Sequence, residues 1–243
     1  MSSRLPTYFV SHGGGPWPFM RETYGSTYDV LATSLGDIRR ELGDAPKAIL
    51  VVSSHWEEDD FMVSSGAQPA MIYDYGGFPA HTYQVKYPAP GHPELAERVA
   101  GLLNGAGHQA TLDPTRGFDP LTHIKAGRAL APLRDEGVVI IGSGLSYHNL
   151  RQFGPAGRVA SHDFDGWLQH TLLALPPAER EAALLHWDSA PSARMAHPRE
   201  EHLVPLMVAL GAAEQEAAAC VYHEDEFFGH LAVSSFRFGV PPA

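Results

Sequence analysis

The sequence predicts an α/β fold: a single domain over residues 1–243, built on a central, mostly parallel or mixed sheet flanked by helices. Three observations carry this. Ala48-Ile49-Leu50-Val51-Val52 and Val138-Val139-Ile140-Ile141 are continuous apolar runs of strand length. Such runs are the pattern of strands buried on both faces of a largely parallel sheet. Stretches with helical spacing alternate with them, as a layered α/β architecture requires. Finally, the 243 residues are 44% hydrophobic and 19% charged, enough to fill one sizeable core and unlike a disordered chain.

Tyr8-Phe9-Val10 reads as a short strand ending at Ser11-His12, where Gly13-Gly14-Gly15-Pro16 forces a loop. Val30, Leu31, Leu35, Ile38 and Leu42 recur at helical spacing and predict a helix from Tyr28 to Leu42. The Ala48 strand then runs into Ser53-Ser54-His55-Trp56. Ile72 to Pro90, rich in Gly, Pro and Tyr, reads as an extended loop. Pro93 sits at the first turn of a helix reaching Leu103, and a second helix spans Ile124 to Leu133. The Val138 strand ends in Gly142-Ser143-Gly144-Leu145-Ser146-Tyr147-His148. Further helices are expected over 163–173, 178–185 and 200–210. Pro198 would open the last of these, placing His202 about one turn in. Strands over 218–223 and 231–238 close the chain.

Charge and cysteine narrow the function classes. A formal net charge of -11 repels phosphate backbones and anionic membrane surfaces, so neither nucleic acid nor membrane is an expected partner. No stretch approaches the roughly 18 apolar residues of a membrane span. The apolar run near the start is too short for a signal peptide. Cys220 is the only cysteine, which rules out an intrachain disulfide, Cys-rich zinc sites and iron–sulfur clusters. It points to a reducing cytoplasm.

Histidine is the outlier, with 14 copies. Three apolar strands each run into one: His12, His55 and His148. Ligands of open α/β sheets collect outside the carboxyl ends of strands, so a metal site is expected there. Imidazole is the commonest metal ligand and the usual acid/base near neutral pH. A fourth candidate, His202, lies in His197-Pro198-Arg199-Glu200-Glu201-His202-Leu203, where Glu200 and Glu201 suit a helix N-terminus. Taken alone, that run reads as an ordinary capped helix.

The segments together resemble the class III extradiol dioxygenases of the LigB-like, DOPA 4,5-dioxygenase type. The resemblance rests on Ser11–Pro16, Ser53–Trp56, Ile72–Pro79, Tyr87–Gly91, Gly142–Leu150 and His197–Leu206, in that order. It implies a non-haem, metal-dependent enzyme that opens a catechol-type ring, of DOPA or another catechol, with O2. It implies His12 and His55 as metal ligands, with His148 and His202 completing the site. Either of the last two can ligate while the other serves as acid/base, and His148 is the first choice for the catalytic base. Fe2+ is the implied cofactor, with Zn2+ an occupant the purified protein can carry. Tyr73 and Asn149 are the expected substrate-side residues, Tyr73 in an aromatic wall and Asn149 as neighbour and anchor of His148. No carboxylate stands out as third member of a two-His-one-carboxylate face, so the face is expected to be rich in histidine.

The chain departs from the family pattern in one place. After Arg116-Gly117-Phe118-Asp119 it passes straight to Pro120-Leu121-Thr122-His123-Ile124, where relatives continue with a His-Gly pair, a Pro-Leu segment and a buried strand. A family segment is therefore expected to be missing after Asp119. His123 does not replace the lost histidine, because it aligns with the following helix. Two rival readings remain: a zinc-dependent hydrolase built on the same strand ends, and a catalytically inactive relative that binds metal or a phenolic ligand. The expected partners are a small catechol and O2, and a homo-oligomer stays open.

Overall fold

Strand β1 (Thr7–Ser11) is buried along its whole length and runs through the middle of a five-stranded sheet. The sheet order is β2 (Ala48–Ser53), β5 (Val138–Gly144), β1, β7 (Leu231–Phe238), β6 (Ala218–Phe227). β1 and β2 run parallel to β5, whereas β7 is antiparallel to β1 and to β6, so the sheet is mixed. The computed structural model describes residues 4–56, 58, 60–113 and 124–242. The expected break after Asp119 and His123 fall outside them. Two short strands that the sequence pattern did not single out, β3 (Phe61–Ser64) and β4 (Ala110–Asp113), pair parallel with each other.

The α-helices among the described residues are α1 (Arg21–Tyr24), α2 (Asp29–Leu42), α3 (Pro93–Gly105), α4 (Ile124–Leu130), α5 (Arg158–Ala174), α6 (Pro177–Leu185), α7 (Ala193–Ala196) and α8 (Val204–Gly211). Strand alternation sorts the core to two faces. Tyr8 and Val10 pack with Ile38 and Leu42 of α2 on one side. On the other, Phe9 packs with Leu206 and Leu210 of α8 and with Phe164 and Leu168 of α5. Val138 and Ile140 meet Val99 of α3, Leu130 of α4 and Val208 of α8 there. Among the described residues no helix is long and apolar enough to cross a membrane.

Two sequence expectations need correction. The Ala48–Val52 run is not buried on both faces. β2 ends the sheet, its residues are half-buried, and Ile49 is 54% exposed. Ala48, Leu50 and Val52 face the α3–α4 core. A continuous apolar run does not by itself distinguish a central strand from an edge strand covered on one face. The helix expected over 200–210 instead begins at Val204, and 198–203 are bends and turns. Pro205 sits in the first turn of α8, where the missing N–H costs nothing. His202 is thus held on a turn in front of the helix rather than inside it.

Candidate metal centre

Parallel pairing brings the strand ends into line. Ser11 lies opposite Gly144 and Ser53 opposite Ser143. The ladder continues past the strands with His12 N–H donating to Gly144 O (2.9 Å) and Ser54 N–H to Ser143 O (3.1 Å). His12 and His55 therefore leave the same end of the sheet, and His148 follows from β5 after the 145–147 loop. His202 arrives from the other direction. Its carbonyl accepts from Leu145 N–H at 3.1 Å. A Cβ on Gly144 would lie 2.2 Å from that carbonyl, so glycine is what lets the 198–203 turn press against β5.

The four histidines meet. Ring centroids are 5.0 Å apart for His12 and His55, 5.3 Å for His12 and His202, and 5.2 Å for His55 and His202. His148 stacks on His202 at 3.4 Å. One ligand nitrogen from each of His12, His55 and His202 falls within 4.8 Å of the other two. His148, Glu201 and His202 form a second group by the same measure. Nε2 of His12 is buried with no hydrogen-bond partner. A buried polar atom without a partner is costly, and a cation among three neutral imidazoles would satisfy it. The donor set, nitrogen with a carboxylate nearby, suits Zn2+ or Fe2+.

Glu201 organises the far side of the rings. Its Oε1 lies 3.0 Å from His148 Nδ1 and 3.2 Å from His202 Nδ1. Burial alone would raise its pKa, but the hydrogen bonds from both histidines pull it well below the ordinary carboxylate value. An ionised carboxylate only accepts, so both rings donate from Nδ1 and keep Nε2 as a lone pair. The His202 pKa is down to about 4, first by burial, with Glu201 opposing and His148 and His55 adding to the fall. That of His12 is pushed well below its ordinary value by burial and then by His202, His55 and His148. Neutral imidazoles are the form that binds metal. On the opposite side Asp74 Oδ2 lies 2.6 Å from His55 Nδ1.

All four histidines expected from the sequence are thus brought together. Glu201 and Asp74 were not foreseen as site residues. Glu201 is adjacent to His202 in the chain, yet its position was also explained by a helix N-terminus that is not there. Asp74 lies 19 residues from His55, and nothing in the local pattern links them. The Tyr73 ring packs beside Tyr75 and Tyr83, and its hydroxyl donates to Val85 O at 2.6 Å. Asn149 donates from Nδ2 to Met195 O at 2.8 Å and accepts from Arg151 N–H at 3.1 Å, so its amide anchors the loop behind His148. His197, fully buried, is 2.9 Å from Ser146 O through Nε2 and braces the same loop. Arg237 pairs with Glu41. His223 is engaged by Ser234 and Asp225 rather than by the cluster.

Histidines converging at one end of the sheet of an α/β scaffold form a group that could hold a metal ion. The family described as the catalytic LigB subunit of aromatic ring-opening dioxygenases matches the chain over residues 6–120 and 115–239, and the chain belongs to it. It is similar to "4,5-DOPA dioxygenase extradiol" of Beta vulgaris, 36% identical with 96% of each chain covered. The protein of the same description from Portulaca grandiflora is 38% identical, covering 79% of this chain and 82% of its own. That of Escherichia coli K12 is 30% identical, with 98% and 96% covered. The crystal structure of an uncharacterized E. coli K12 protein superposes with a TM-score of 0.72 at 26% identity, covering 97% of this chain and 100% of that one. The chain is accordingly an extradiol ring-cleavage dioxygenase, an oxidoreductase. The Beta vulgaris alignment runs over 264 positions against 243 residues here, so that relative carries residues without a counterpart in this chain.

Proposed function

We propose that the substrate is a catechol, DOPA or a close analogue, opened with O2 at a single divalent metal held by His12, His55 and His202, with His148 as acid/base. The observation that carries this is the mutual approach of one nitrogen from each of the three ligands within 4.8 Å, with His148 stacked beside them. When bound, a ferrous ion supplies Lewis acidity and electron transfer toward O2, whereas zinc supplies only the former.

The chain's own residues do the rest. Nε2 of His148 takes the catechol proton and later returns it. Glu201, ionised, steadies the imidazolium that forms, as a carboxylate behind a catalytic histidine does. Asn149 and His197 fix the loop that carries His148. The Tyr73–Phe78 loop offers the aromatic wall for the ring, with Tyr73 contributing its face because its hydroxyl is committed to Val85. The acidic surface keeps nucleic acid out of the partner list, and the free thiol of Cys220 suits a reducing cytoplasm.

On this reading the chain is one catalytic domain with a family segment missing after Asp119, a reading supported by two family matches, over 6–120 and 115–239, that overlap there. That shortfall is the specific support for a second reading, an inactive relative that binds metal or a phenol. Oxygen uptake with a panel of catechols, after anaerobic loading with Fe2+ and separately with Zn2+, decides between them. Iron-dependent uptake with a yellow ring-opened product is expected. A folded, iron-loaded protein without uptake would favour the second reading, and oxygen-independent turnover with zinc would favour a hydrolase.

A further inference from the structure

Asp74 stands in the Tyr-rich loop between β3 and α3, far in sequence from every other residue of the centre. Its Oδ2 meets His55 Nδ1 at 2.6 Å. A carboxylate accepts and an imidazole with its proton on Nδ1 donates, which leaves the Nε2 lone pair of His55 free. His55 is the least enclosed of the clustered histidines. Its side chain is 45% exposed, against 8% for His202 and 18% for His148. It also stands at the end of the half-buried edge strand β2, so packing does little to hold its ring.

The loop that carries Asp74 is itself braced. Tyr73 and Tyr75 donate their hydroxyls to Val85 O (2.6 Å) and Thr82 O (2.8 Å). Phe78 donates its N–H to Tyr83 Oη at 3.3 Å. The Phe78 ring lies where a Cβ on Gly15 would come within 2.6 Å of it, so the loop also abuts the turn that follows His12. The carboxylate is therefore delivered from a fixed frame rather than from a free side chain.

We infer that Asp74 is the positioning residue for His55: it selects the Nδ1–H tautomer and aims Nε2 at the centre, as Glu201 does for His148 and His202. The inference rests on His55 being a metal ligand. Carboxylates behind ligating histidines typically change metal affinity by 10–100-fold. A surface ion pair between two exposed groups would change it little.

The test is zinc titration of the full, chelator-treated chain by calorimetry, with nitrogen-15 NMR of the His55 ring in the metal-free protein. Asp74→Ala is expected to weaken Zn2+ binding roughly 10–100-fold and to shift His55 away from the Nδ1–H tautomer. Asp74→Glu is expected to recover part of both. Unchanged affinity and tautomer in Asp74→Ala, with His55→Ala still abolishing binding, would overturn the inference and leave the metal-centre reading standing. Wild-type protein that binds no zinc, or His55→Ala that binds it as tightly as wild type, would overturn both.

Discussion

The centre has a closed side and an open side. On the closed side Glu201 is 15% exposed and grips His148 and His202, which stack on each other. On the open side Asp74 is 41% exposed and grips His55 alone. The two grips have the same chemistry and different surroundings. A carboxylate closed in by protein cannot be replaced by water when it is lost, whereas an exposed one can be replaced in part. Damage to the closed side should therefore cost stability and turnover, and damage to the open side should cost mainly metal affinity.

Glu201→Ala should give the largest effect. It strips the acceptor from two enclosed Nδ1–H groups, each worth about 1–3 kcal/mol when left unpaired, and it removes the partner of the proposed base, His148. Thermal unfolding and turnover should fall together, with the rate down by at least the 10²–10⁴-fold typical of a lost acid/base. A variant that keeps wild-type stability would break the contrast between the sides.

His148→Ala comes next. Turnover should drop by roughly 10²–10⁴-fold while Zn2+ affinity moves far less, because His12, His55 and His202 still supply three donors. Loss of metal in parallel with turnover would make His148 a ligand instead.

Acid should act on the buried histidines. The folded-state pKa of His202 is about 4 and that of His197, lowered chiefly by burial, about 3, both below the ordinary 6.5. The unfolded chain therefore binds more protons between those values. Stability of the metal-free protein is complete above pH 6.5 and is lost as the pH falls through this window. His197 alone accounts for about 3 kcal/mol by pH 4. Unfolding measured from pH 7 to pH 4 should show this slope, and His197→Gln should flatten it. A slope unchanged by that substitution would remove His197 from the account.

Tyr75→Phe should give the smallest effect. It removes one bond that braces the Asp74 loop, about 1 kcal/mol, so Zn2+ affinity should weaken by no more than about fivefold. A loss as large as that of Asp74→Ala would mean that the open side is as tightly built as the closed one.

The sequence by itself determined the scaffold and the histidines. Helical periodicity fixes α2, continuous apolar runs mark β1 and β5, and two further strand-like stretches lie where β6 and β7 form. His12, His55 and His148 are legible because each lies within a few residues of the end of an apolar strand. His202 was within reach only through its motif, since its placement depends on where α8 begins, and Pro205 moved that start to Val204. Tertiary structure alone decided that β2 is an edge strand, because an apolar run looks the same whether one or both of its faces are covered. It alone revealed Glu201 behind two histidines and Asp74 behind a third. Those contacts arise from a turn pressed against Gly144 and from a loop braced by its own tyrosines. The His148–Glu201 and His55–Asp74 contacts, 53 and 19 residues apart in sequence, leave no periodic trace in the chain.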